Sequence, residues 1–271
     1  MPLSLKTPHP ARGAQWVRDA FRLFAKRPMA FAGLFFVFLF VALLIGLVPV
    51  VGPLLQMAML PMLSLGFMVA SASALQGGPV HPGQFVEPLG GSDAPRRGRL
   101  LALCLAYGVG AIGVLLLANV VSGGQLGELQ RLVGTGEASQ PEIDAMAADR
   151  GVFVGTVFAL LAATLLSVPF WHAPALVYWG GQGVAQSLFS STLAVWRAKG
   201  AFLVYALAWF GMAAASGLIT ALLLGLLGAP QLVGLMALVF GLMFSTAFYV
   251  SLVFSFHDCF GQAGTPAPDA G

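Results

Sequence analysis

His257, Asp258 and Cys259 stand side by side near the end of the chain, between Phe256 and Phe260. Those residue types could ligate a metal ion or activate a thiol. Consecutive residues on a helix point in different directions, so three in a row make a poor ligand set. The plainer reading is a helix end with mixed polarity. Glu142, Asp144 and Asp149 form a looser acidic group, but scattered carboxylates on an exposed helix are usually only solvated. His172 lies between Trp171 and a Pro-containing segment, and is expected as a hydrogen-bonded histidine at a helix end near the membrane surface. No phosphate loop, HExxH, paired CxxC or GxSxG occurs. No catalytic residue, metal ligand or cofactor is therefore expected, and the chain reads as non-enzymatic.

The elements that hold these residues are set by composition. The chain is 58% hydrophobic and 8% charged, against about 25% charged in a soluble domain. So little charge cannot cover a water-facing surface, so lipid must solvate the chain. The stretch from Met29 to Val48 has no charge and no Pro, and a helix of about 20 such residues crosses the ~30 Å hydrocarbon core. It is too long for a signal-peptide core and reads as an uncleaved anchor. The pattern predicts an all-α polytopic membrane bundle over 1–260. Its six transmembrane helices fall at 29–48, 54–75, 100–121, 152–171, 201–227 and 231–254. Two interfacial amphipathic helices are expected at 11–27 and 184–198, and a disordered Gly/Pro/Ala-rich tail at 261–271.

Six spans put both ends on one side. Under that threading every Lys and Arg except Arg131 and Arg150 lies on the side of the termini. The positive-inside rule then makes both termini cytoplasmic. Cys104 falls inside a span and Cys259 on the cytoplasmic side, so no disulfide is expected.

In the first amphipathic segment Val17, Ala20, Phe21 and Phe24 share one helical face, and Arg18, Arg22 and Lys26 lie on the other. Such a helix fits the membrane surface, with Trp16 at headgroup depth and Arg18, Arg22, Lys26 and Arg27 toward anionic phosphates. The competing reading packs the helix under the bundle with its charges merely solvated. The second segment, 184–198, carries Phe189 and Trp196 on one face and ends on Arg197 and Lys199. Each segment leads into a span, which suggests an internal duplication.

Span two is polar for a membrane helix. Gln56, Pro61 and Ser64 are candidates to line a cavity, and Met57, Met59, Met62 and Met68 could form a groove or simply fill gaps. Pro61 predicts a kink. No span carries Asp, Glu, Lys or Arg in its core, which counts against proton pumps, voltage sensors and ion-selective pores.

The block Gln15-Trp16-Val17-Arg18-Asp19-Ala20-Phe21-Arg22-Leu23-Phe24, with Arg27-Pro28 after it, resembles an uncharacterised family of proteobacterial inner-membrane proteins. Gly66-Phe67-Met68-Val69-Ala70, Phe85-Val86-Glu87-Pro88-Leu89 and Asp258-Cys259-Phe260 resemble it too. More distantly, Ala173-Pro174-Ala175-Leu176-Val177 before a surface helix is similar to the membrane domain of some glycerophosphodiester phosphodiesterases. No such catalytic domain follows, so that activity does not carry over. The resemblance implies a bacterial inner-membrane location and brings no substrate or site residue.

Two functions stay open. One is a non-enzymatic part in membrane organisation, with the anionic bilayer and other membrane proteins as partners and no nucleic acid. The other is a transporter or exporter of an apolar or amphiphilic small molecule.

Overall fold

The computed structural model describes residues 3–49, 51–90, 93–136 and 138–261. The tail expected to be disordered lies, from residue 262 on, outside the described residues. The architecture is a helical membrane bundle with six helices or helix pairs long and apolar enough to cross a bilayer. Ser4 and Gly261 meet on one face, where the Ser4 N–H and Oγ donate to the Gly261 carbonyl at 3.2 and 2.8 Å. Lys6 N–H donates to Cys259 O at 2.8 Å. Lys6 thus satisfies a carbonyl that the last helix leaves unpaired at its C-terminus, and Ser4 one just beyond it. We call this side the terminal face.

Helix α1 (Arg12–Lys26) leads into span one, α2 (Pro28–Gly46), through Pro28 at the first helical position. Span two is broken into α3 (Val51–Ala58) and α4 (Leu60–Leu75). The break falls just before Pro61, whose ring displaces the preceding turn and whose nitrogen cannot donate. Two 3-10 turns, Pro82–Phe85 and Glu87–Leu89, precede α5 (Ala94–Val121). This span begins earlier than expected because the Asp93 carboxylate caps it, accepting from Arg96 N–H at 3.0 Å.

On the far side α6 (Gln125–Thr135) and α7 (Gln140–Ala147) precede α8 (Arg150–Phe170). Helix α7 opens on the Ser139/Glu142 capping box. It does not run on into span four, because Asp149 is extended and caps α8, accepting from Gly151 N–H at 2.6 Å. The chain then turns inward as α9 (Ala173–Tyr178), crosses the terminal face as α10 (Val184–Arg197), and ends with spans α11 (Lys199–Leu226) and α12 (Val233–Cys259). Because α12 runs to Cys259, the His257-Asp258-Cys259 run is its last turn. There His257 is exposed, Asp258 half-buried and Cys259 buried.

The core sits toward the terminal face. In α12 burial is concentrated from Thr246 onward, and α9 is wholly inaccessible from Ala173 to Val177. The most apolar stretch of α11 has no buried residue. Long apolar helices left uncovered by protein are what lipid solvates.

The blocks that carry the family resemblance pair off in space. A Cβ on Gly66 would lie 2.2 Å from Cδ1 of Phe85, so only glycine admits that ring. The Phe67 and Phe85 rings meet at 6.0 Å. Tyr178, at the end of α9, donates its hydroxyl to Glu87 at 3.2 Å while Arg96 lies 5.2 Å from its ring centre.

Candidate functional site

A cavity of about 120 Å³ is lined by residues of spans two, three, four and six. Its polar lining is Ser64 of α4, Tyr107 of α5, Ser167 of α8 and Tyr249 of α12. Leu60, Pro61, Phe170, Trp171, Phe248 and Leu252 supply the apolar wall. The position follows from the helix breaks. Pro61 sits at the α3–α4 break and Trp171 where α8 ends, so both helices bend beside the space. Trp171 and Phe248 meet edge to face at 5.8 Å, and Tyr107 meets Phe170 at 5.0 Å. Ser64 Oγ donates to Pro61 O and Ser167 Oγ to Ala163 O, each at 2.8 Å. The Ser64 lone pairs remain available to a guest, while Ser167 also accepts from the Tyr107 hydroxyl.

Of the three cavity candidates from sequence, the structure brings Pro61 and Ser64 together. Gln56 is elsewhere. Its Nε2 donates to Ala42 O at 2.8 Å and pins α3 against α2. An amide in a membrane helix must find such a partner, and the neighbouring hairpin offered one. The cavity lining from α5, α8 and α12 had no local sequence signature.

Beneath the cavity the break between α8 and α9 is repaired by α10. A continuous helix would bond His172 N–H to Val168 O. Ser191 Oγ is inserted there instead, accepting from His172 N–H at 3.0 Å and donating to Val168 O at 3.0 Å. His172 is not at the surface; it is fully buried. Ser255 Oγ donates to Leu252 O at 2.9 Å, so it must accept from His172 Nε2, 3.1 Å away. That assigns the Nε2–H tautomer and leaves Nδ1 buried without a partner. Phe202, Phe256 and Phe260 surround the imidazole with ring centres 5.4–6.1 Å away.

The two amphipathic helices are turned opposite ways. Helix α1 packs its apolar face on α11 and α12. A Cβ on Gly13 would stand 2.0 Å from Ala201 O, so backbone meets backbone there. Trp16 was expected at headgroup depth but is 0% exposed. Its indole lies edge-on to Phe202 and Tyr205, and its N–H has Asp258 as acceptor at 2.6 Å. Arg12 grips the same carboxylate through Nε at 2.6 Å and Nη2 at 3.0 Å, which raises its own pKa above the ordinary arginine value. Arg27 is drawn from the surface role too, since its guanidinium donates to the carbonyls of Gly77 and Gly78. Arg18, Arg22 and Lys26 remain exposed along one outer stripe.

Helix α10 instead buries its small face, Ser187, Ser191 and Ala194, and turns Phe189 (69% exposed) and Trp196 (71% exposed) outward. The Lys199 ammonium lies 5.4 Å from the Trp196 ring centre. Among the described residues no group of three His, Cys, Asp or Glu side chains is placed to hold a metal ion. Cys104 and Cys259 are both buried and unpaired with each other.

No family model matches the chain, and no solved structure matches it. Among curated proteins it is similar to a probable inner membrane protein of Burkholderia thailandensis, with 30% identity over 256 residues, 94% of this chain and 93% of that one. With six membrane-spanning helices and identity sustained along nearly both lengths, the chain belongs to the family of that inner-membrane protein.

Proposed function

We propose that this protein works without covalent chemistry of its own, as an inner-membrane component that organises the anionic cytoplasmic leaflet and the membrane proteins within it. The observation that carries this reading is the outward face of α10. Phe189 and Trp196 are left uncovered beside Arg197 and Lys199. Aromatic side chains of this kind rest at the headgroup boundary, and each cation near an anionic leaflet contributes about 1 kcal/mol. The exposed stripe Arg18, Arg22 and Lys26 adds to that field. In this reading the termini are cytoplasmic. Ser191, Ser255 and Gln56 of the interior bond across to neighbouring helices and hold them together.

Reconstitution tests it. Energy transfer from Trp196 to dansyl-labelled phosphatidylglycerol, isolated by subtracting Trp196→Phe, should exceed transfer to labelled phosphatidylcholine. Arg197→Gln with Lys199→Gln should remove the excess. Equal transfer to both lipids defeats the leaflet reading. So does an alkaline phosphatase fusion at Gly134 that is inactive in cells, because that loop must then face the cytoplasm.

The cavity favours a second reading, in which the protein holds and moves an apolar or amphiphilic small molecule. Two helix breaks beside one space, at Pro61 and at Trp171, support it.

A further inference from the structure

We infer that the cavity is a binding site for an uncharged amphiphile whose head donates a hydrogen bond, such as a long-chain alcohol, a monoacylglycerol or a primary amide, and that it enters sideways from the bilayer. This rests on the second reading above and specifies its ligand class.

The polar inventory selects the head. No charged residue lines the space. A cation or anion would sit among the spans with no counter-charge, which is strongly unfavourable. Both serine hydroxyl protons are committed to carbonyls of their own helices, at Pro61 and Ala163. Ser64 and Ser167 therefore offer acceptor lone pairs only. The Tyr107 hydroxyl is hydrogen-bonded to Ser167 and must donate to it, which fills one lone pair of that serine; the Tyr249 hydroxyl can accept or donate. A head that only accepts, such as an ether, leaves the Ser64 lone pairs unmet. A hydroxyl or primary amide meets both kinds of partner.

Size and access select the body. About 120 Å³ is well below the roughly 300–1,000 Å³ of a site that encloses a drug-sized ligand. It holds a head and the first few carbons. The rest of the molecule must lie outside. Every lining residue except Pro61 and Leu252 is partly exposed, and α8 packs on α5 and α10 rather than along α12. The gap between α8 and α12 therefore opens laterally, where lipid surrounds the spans. At the terminal side the Trp171 and Phe248 rings close it.

The test uses the whole protein in lipid nanodiscs and photoreactive probes. The first is a long-chain alkan-1-ol with a diazirine next to its hydroxyl. The matching alkyl sulfonate and alkyl trimethylammonium are the charged comparators. Adducts are mapped by mass spectrometry. Labelling of the alcohol should concentrate at Tyr107, Trp171 and Tyr249 over the lipid-facing residues of α11, and monoolein should compete it away. Tyr107→Phe or Tyr249→Phe should lower that labelling roughly three- to tenfold, the loss of one hydrogen bond expressed as affinity, with unchanged melting as the control for folding. If the charged probes label the cavity as well as the alcohol does, the ligand class is wrong while the second reading stands. If no probe labels the cavity above α11, both fall.

Discussion

Trp16 and Asp258, near opposite ends of the chain, are joined by a 2.6 Å hydrogen bond from Nε1 to Oδ2. Arg12 doubles the attachment on the same carboxylate. A carboxylate at a helix C-terminus opposes the helix dipole, and here the Arg12 guanidinium offsets that. The consequence is that α1 belongs to the bundle, held on α11 and α12, while only its basic stripe faces out.

Removing the carboxylate should release α1. Asp258→Ala leaves the Trp16 N–H buried without an acceptor and Arg12 without its partner. The loss should be roughly 1–3 kcal/mol, seen as a lower melting temperature in detergent. Trypsin should then cut at Arg18 and Arg22 under conditions where the unaltered protein resists. Resistance equal to that of the unaltered protein would mean that the apolar face alone holds α1.

Ser191 predicts a second outcome. Ser191→Ala removes the hydroxyl that stands between His172 N–H and Val168 O. Hydrogen bonds between membrane helices average about 0.6 kcal/mol and reach about 1.7; two are lost at once here, so the cost should be about 1–3 kcal/mol. Hydrogen exchange at the His172 amide should rise. Unchanged exchange would show that the backbone closes the gap for itself.

Acid should act first on the far side. Ser139 donates to Glu142 Oε2 through both its N–H and its hydroxyl, each at 2.8 Å. These bonds hold the Glu142 carboxyl below its ordinary value of 4.5. The sign follows: a depressed folded pKa stabilises α7 above the unfolded value, and that stability is lost as pH falls through the folded one. Exchange in the first turn of α7 should therefore rise below about pH 4–5 while the spans stay protected. Glu142→Gln should flatten that dependence. A pH-independent α7 would show that the capping box contributes nothing there.

Composition and apolar run length by themselves determined that this is a membrane protein, how many spans it has, and that Pro61 would interrupt span two. These are local consequences of solvation and backbone geometry, so a window of residues contains all the information needed. The pattern also marked 11–27 and 184–198 as amphipathic. It did not decide which face turns inward. Trp16 is buried and Trp196 exposed, though both belong to short basic helices that precede a span. Within a bilayer, lipid chains solvate an apolar face about as well as another helix does, so apolarity alone does not choose the inner side. That choice fell to close backbone approach at Gly13 and to bonds from residues distant in sequence, Asp258 on one side and Ser191 on the other. Such partners meet only once the chain has folded, so the cavity beside Trp171 had no sequence signature beyond Pro61 and Ser64.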